Sequence, residues 1–285
     1  VAVSEKEILE NKEIRLIASA IRPDLRCSLG IRVMEHGKDY FADKPGMLSM
    51  EEIDAARKTC KRTGMKYMIY FGERVHVEGA VFAQQLIEQG EIGQVLQMTI
   101  LAPHRLNKKT RPDWFFQKDK MGGIITDIGS HQIEQFLTYT GQEDAEVLYS
   151  AVANYANPDY PEFEDFGAGM LKASNGATCY FRLDWFTPDG LGAWGDGRVF
   201  LIGTKGTIEI RKYLNVGESS DGDNVYLVNS TGEYKFQVTG KVGFIFFGDF
   251  ILDCINRTEC VMTQEHVFRA MELAITAQNM AVKMS

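Results

Sequence analysis

Asp39-Tyr40-Phe41-Ala42-Asp43-Lys44-Pro45 is the stretch that decides the fold. Four residues of strand character run into a Lys-Pro turn, and a helical segment lies on either side. Upstream, Pro23 opens a helix that runs to Glu35 and stops at Gly37. Downstream, Ser49 with Glu52 three residues on makes a capping box for a helix that closes at Gly64. Ile14 to Ala18 reads as a strand before the first helix and Met65 to Phe71 as a strand after the second. Strand, helix, strand, helix, strand with short connections predicts a parallel α/β sheet. Ser4 to Glu7 caps a further short helix to about Asn11.

After Arg74 the texture changes. A helix from Glu78 to Gln89 leads to a strand near Val95 to Ala102, a polar loop, and a helical stretch through Asp127 and His131. Strands then dominate: 147–155, 165–173, and 177–185 across a Ser174-Asn175-Gly176 hairpin turn. The runs 199–203 and 207–212, then 225–228 and 234–238, read as two more hairpins, and a helix from Gln264 to Lys283 closes the chain. The expected architecture is a partial Rossmann-type parallel sheet over residues 1–74, followed over 75–285 by a larger, mostly antiparallel open sheet with helices on one face. Alternation of Tyr180, Arg182 and Asp184 with Phe181, Leu183 and Trp185 predicts that one face of that sheet is buried.

Composition narrows the function. The 285 residues are 45% hydrophobic and 25% charged, with a net charge of −8, an ordinary globular balance without the basic face of a nucleic-acid binder. No apolar run approaches the ~20 residues of a bilayer span. Five scattered cysteines, 27, 60, 179, 254 and 260, lack Cys-x-x-Cys spacing, so reduced thiols and no metal site are expected. The sequence Gly190-Leu191-Gly192-Ala193-Trp194-Gly195 matches G-x-G-x-x-G literally but sits between two strands, without the strand-turn-helix setting that receives a pyrophosphate. It reads as a flexible loop.

The chemistry is concentrated in Gly122-Gly123-Ile124-Ile125-Thr126-Asp127-Ile128-Gly129-Ser130-His131. A carboxylate and an imidazole four residues apart in a helix leave one face. With Lys44 they suggest proton transfer at a hydroxyl or carbonyl carbon. Pro45 drives Lys44 toward extended backbone or is itself cis, and either fixes where the ammonium points. Gly129 costs a helix about 1 kcal/mol relative to alanine, which suggests a flat ring or backbone packed closely there.

Glu35-His36-Gly37-Lys38-Asp39-Tyr40-Phe41-Ala42-Asp43-Lys44-Pro45 resembles the "GKHVFVEKP" stretch of the Gfo/Idh/MocA oxidoreductases, with Asp43 where glutamate is usual, and residues 122–131 resemble their "GGxxxDxGxH". Leu86 to Gly93 and Ile202 to Glu209 support the likeness. Members of that family begin with two further βα units, so the resemblance implies a chain lacking the glycine-rich half of its Rossmann domain. Arg26 stands where many members have histidine.

The resemblance implies a site between the domains for NAD or NADP and a sugar, cyclitol or polyol. His131 is then the base, Asp127 orients it or binds a second hydroxyl, and Lys44 holds the reacting oxygen. Cofactor contacts are expected from Ser19, Ala20, Arg22, Asp43, Lys44, Pro45 and Arg74. Arg111, Trp114 and Lys120 are read as contacts to sugar hydroxyls or to a neighbouring cofactor. A homodimer or homotetramer through the antiparallel sheet and a cytoplasmic setting are also implied, with an export signal upstream of residue 1 left open. Rival readings are a lyase or hydrolase working by transient oxidation, and a ligand-sensing or scaffold protein without chemistry.

Overall fold

The computed structural model describes residues 4–284. Its first part runs α1 (Glu5–Glu10), β1 (Leu16–Ser19), α2 (Pro23–Glu35), β2 (Asp39–Ala42), α3 (Met50–Thr63) and β3 (Tyr67–Ile69). The three strands are parallel in the order β1-β2-β3. Local chemistry sets the boundaries. Ser49 Oγ accepts the Glu52 N–H at the start of α3, and Gly64 ends that helix at φ +71°, where an L side chain would be strained.

Next come α4 (Gly72–Val75), α5 (Glu78–Glu88), β4 (Val95–Pro103) and α6 (Lys118–Met121). A π-helical turn, Ile125–Gly129, then leads into α7 (Ser130–Thr140). The strands that follow are β5 (Ala145–Ala153), β6 (Phe166–Ala173), β7 (Thr178–Asp184), β8 (Arg198–Gly203), β9 (Gly206–Arg211), β10 (Asn224–Asn229) and β11 (Gly232–Gln237). The chain closes with α8 (Phe246–Asn256), α9 (Gln264–Met280) and the two-residue β12 (Val282–Lys283). The large sheet has the order β11-β10-β9-β8-β4-β7-β6-β5-β12. Its neighbours are antiparallel except β4 with β7 and β5 with β12. The sheet is therefore mixed, with β4 inserted between the β8 and β7 edges of two meanders.

The period-2 reading of β7 holds up to Leu183 and ends at Asp184, which is buried as well. Phe181 and Leu183 are fully buried, whereas Tyr180 is exposed. Across the sheet, Tyr149, Met170, Tyr180, Thr99, Phe200, Glu209 and Tyr226 stand opposite one another in register. The first, second, third and fifth of these are exposed. The opposite face carries α7 and α9, and α3 reaches α9 through Arg57, whose Nη2 lies 2.8 Å from Glu265 and 2.5 Å from Glu272.

Residues 239–263 carry no predicted element, yet α8 forms there. Phe246 and Phe250 pack on Phe41 of β2, with ring centroids 6.1 and 5.6 Å away, while Ile251, Leu252 and Ile255 stay exposed. Phe247, Ile251, Leu252 and Ile255 point outward while Asp253 is buried, so the apolar residues of α8 do not mark its buried face as they do in an ordinary surface helix. Among the described residues no helix is long and apolar enough to cross a membrane.

Candidate active site

Two glycines launch the segment that carries Asp127 and His131. Gly122 and Gly123 have φ of +92° and +89°, a pair that only glycine adopts without strain. The N–H groups that follow are capped by side chains: Glu164 accepts from Ile124 at 3.0 Å, and Gln278 of α9 accepts from Ile125 at 2.9 Å. The expected α-helix accordingly begins as a π-helical turn, a widening frequent at functional sites. Gly129 lies against aliphatic groups rather than a flat ring. An added Cβ would stand 3.0 Å from Ile125 Cγ2 and 3.2 Å from Leu183 Cδ1.

The Lys44 turn is built from the other side. Lys44-Pro45 is cis. The buried Arg26 guanidinium donates to the carbonyls of Ile21 at 2.6 Å, Asp43 at 3.2 Å and Pro45 at 2.9 Å, and also to that of Lys44. Asp43 Oδ1 accepts the Lys44 N–H at 2.9 Å, and Asp43 Oδ2 lies 3.6 Å from Arg26. Lys44 Nζ then reaches Asp127 Oδ1 at 2.9 Å, 83 positions away.

Lys44, Asp127 and His131 open on one cavity of about 460 Å³, beyond the C-terminal ends of β2 and β3. Its walls are aromatic: Tyr70, Trp114, Phe115, Trp185, Trp194 and Tyr213 contribute. Two buried polar atoms of the site, Asp127 Oδ2 and His131 Nδ1, lack a hydrogen-bond partner. Burial above all pulls the His131 pKa down to about 3, with Glu73 pulling it up and Lys44 and Lys212 adding to the fall. The imidazole is therefore neutral near pH 7.

Behind the cavity lies a buried polar layer. Glu73 accepts from Lys212 at 2.9 Å and from Gln132 at 3.2 Å, and Lys212 also donates to Gln135 at 3.0 Å. Burial pushes the Glu73 carboxyl up, but Lys212, His131 and His104 outweigh it and hold the group well below the usual range. His104 Nε2 lies 3.6 Å from Glu73 while Trp194 packs edge-on against its ring at 4.1 Å. Burial holds His104 at about 4.

Of the residues singled out from sequence, Asp43, Lys44, Asp127, His131, Arg111 and Trp114 line this cavity. Others do not. Arg74 is turned away into a buried pair with Glu134, Nε to Oε1 at 2.8 Å, and into a 3.0 Å bond to Gln84. Lys120 pairs with its neighbour Asp119 at 2.9 Å. At the end of β1, Ser19 Oγ accepts from Ile21, Ala20 is exposed, and Arg22 forks onto Asp24. Pro45 takes part through its carbonyl on Arg26. Arg26, Glu73, His76, His104, Trp185, Trp194 and Tyr213 join the cavity wall without having been assigned to it. A tryptophan inside the glycine-rich stretch 190–195 was the one available signal, since a purely flexible loop has no use for a large ring.

Residues 81–209 match the GFO/IDH/MocA C-terminal domain. The crystal structure of a "putative oxidoreductase" from Erwinia carotovora atroseptica SCRI1043 superposes with a TM-score of 0.97 at 49% identity, covering 100% of this chain and 85% of that one. The 2,7-anhydro-N-acetylneuraminate hydratase of Escherichia coli (strain K12) is 26% identical over 207 residues, 71% of this chain and 54% of the relative. The scyllo-inositol 2-dehydrogenase (NAD(+)) of Bacillus subtilis (strain 168) is 27% identical over 207 residues, 72% and 57%. The chain thus spans little more than half the length of these curated relatives.

Proposed function

The chain belongs to the GFO/IDH/MocA family, and from that membership we propose that it is an NAD(P)-dependent oxidoreductase that moves hydride between a nicotinamide ring and a CH–OH carbon of a sugar, cyclitol or related polyol. The observation that carries this reading is the convergence of Lys44, Asp127 and a neutral, buried His131 on one aromatic-walled cavity. The cavity fits the nicotinamide end of a cofactor, because it lies beyond the C-terminal ends of parallel strands, where open α/β sheets bind ligands, and because two of its buried polar atoms await partners. Lys44, Asp43 and the Arg26-held turn are the residues placed to hold that end. When bound, the nicotinamide supplies the hydride acceptor.

The protein's own groups do the rest. In the oxidation direction the neutral His131 takes the hydroxyl proton. Lys44, kept in place by Asp127, donates a hydrogen bond to the same oxygen and stabilises negative charge as it develops. Asp127 Oδ2 receives a neighbouring hydroxyl. The aromatic walls exclude water and pack on the apolar faces of a sugar ring. The test is reduction of NAD+ or NADP+ by the full-length protein with a panel of sugars and cyclitols. His131→Ala and Lys44→Ala are each expected to lower kcat about 10²- to 10⁴-fold. Wild-type rates in both would end the reading.

The likeness to a hydratase favours a second reading of the same site, in which oxidation is transient and the cofactor is restored each turnover. Substrate consumed without accumulation of reduced nicotinamide would select it. The exposed row across the large sheet goes with a homodimer or homotetramer, checked by sedimentation at micromolar concentration, and the free thiols suit a cytoplasmic setting.

A further inference from the structure

The charges around the cavity pair off with one exception. Lys44 lies 2.9 Å from Asp127, Arg26 lies 3.6 Å from Asp43, and Glu73 is answered by Lys212 at 2.9 Å. Arg111 is left over. Its Nε donates to the Leu106 carbonyl at 3.0 Å. Its guanidinium carbon lies 4.3 Å from the centre of the Phe115 ring and 5.3 Å from that of Trp185. Among the described residues, no carboxylate stands within 4.0 Å of it and no acceptor meets its two Nη groups. Burial lowers its pKa and Asp127 draws on it only from a distance, yet guanidinium stays protonated.

Such a group is stiffened by its aromatic shelf and its backbone bond, so it loses little freedom on binding. Sugar hydroxyls would satisfy its N–H groups but leave its charge unanswered. A carboxylate answers both in one forked contact. We propose that Arg111 is the specificity residue of this cavity for the carboxylate of an acidic sugar, so that the substrate class is sugar acids rather than neutral sugars. This rests on the reading of the cavity as a sugar site.

All three tryptophans of the chain, Trp114, Trp185 and Trp194, line the cavity, so tryptophan emission responds to its occupancy. The experiment titrates the full-length protein with D-glucuronate against D-glucose and D-galacturonate against D-galactose. The acid of each pair is expected to bind about 10- to 100-fold more tightly, with a ratio that shrinks as salt rises. Arg111→Met should bring the ratio to one, and Arg111→Lys, which keeps a cation, should preserve part of it. Equal or weaker binding of the acids, or no quenching by any member, overturns the proposal. So does an Arg111→Met protein that loses NAD+ affinity while its acid-to-neutral ratio stays unchanged, since Arg111 would then serve a cofactor phosphate. NAD+ reduction with the same four sugars judges the dehydrogenase reading separately. Turnover of neutral sugars in preference to acids sinks only the acid preference.

Discussion

Lys212 Nζ, fully buried near the end of β9, lies 2.9 Å from Glu73 Oε2 across 139 positions of sequence. The pair ties the turn after β3 to the far side of the large sheet, and both partners find their remaining bonds on α7, at Gln132 and Gln135. Removing one partner leaves the other charged and dry. Lys212→Met is expected to cost about 3–5 kcal/mol of stability, read as a fall in the urea midpoint. A double variant that also carries Glu73→Gln should recover part of the loss, because the uncompensated charge is gone. A single variant as stable as wild type would show the pair to be solvated.

Acid should destabilise the fold earlier than carboxylates alone would require. His131 and His104 are held near 3 and 4, against about 6.5 in an unfolded chain. From about pH 6.5 down to those folded values the unfolded state binds more protons, so stability falls with falling pH; above about 6.5 the full stability is present. His131→Asn and His104→Asn should each flatten the drop in urea midpoint between about pH 7 and about pH 5. Unchanged slopes in both would mean that the imidazoles titrate normally in the native protein.

The small sheet was legible because its signals are local: a Ser-x-x-Glu box, a glycine after α2 and after α3, and a proline after β2. Lys44, Asp127 and His131 were findable because two of them share one short segment and the third sits in a distinctive turn. What sequence did not show is the partnering at long range. Arg74 stands at a strand end where the resemblance implies a cofactor contact, but its Glu134 lies 60 positions on, and the two consume each other. Glu73 likewise meets its Lys212 only across 139 positions. The cavity's second wall comes from loops at 104–115 and 185–194, where no periodicity exists to read. α8 escaped because its burial runs against residue type, with Ile251, Leu252 and Ile255 exposed and Asp253 buried.

Arg26 has the strongest claim to set the Lys44 turn. Its guanidinium serves four carbonyls within two loops while only 4% exposed. Arg26→Met leaves those oxygens without donors and is expected to cost about 2–4 kcal/mol. It should also lower kcat more than it raises KM, because Lys44 loses its fixed origin. Arg26→Lys, with a point charge in place of a fork, should recover less than half of either effect. A variant that lost stability but kept kcat would confine Arg26 to structure.

The glycines at 190–195 separate two accounts of that loop. A phosphate cradle would require its glycines in a strand-turn-helix unit, where backbone must approach an anion closely. Here Gly190 and Gly192 face open space, and an added Cβ would meet nothing within 4 Å. At Gly195 the same atom would collide with the Pro103 carbonyl. Arg105 meanwhile gathers the carbonyls of Leu191 at 2.5 Å and Ala193 at 2.9 Å, setting Trp194 against His104. Gly190→Ala and Gly192→Ala should therefore lie within about 0.5 kcal/mol of wild type, with nicotinamide nucleotide affinity untouched. Gly195→Ala should destabilise by about 1–3 kcal/mol and shift the tryptophan emission as Trp194 leaves the cavity wall. Loss of nucleotide binding in the first two variants would instead restore this loop as a phosphate contact.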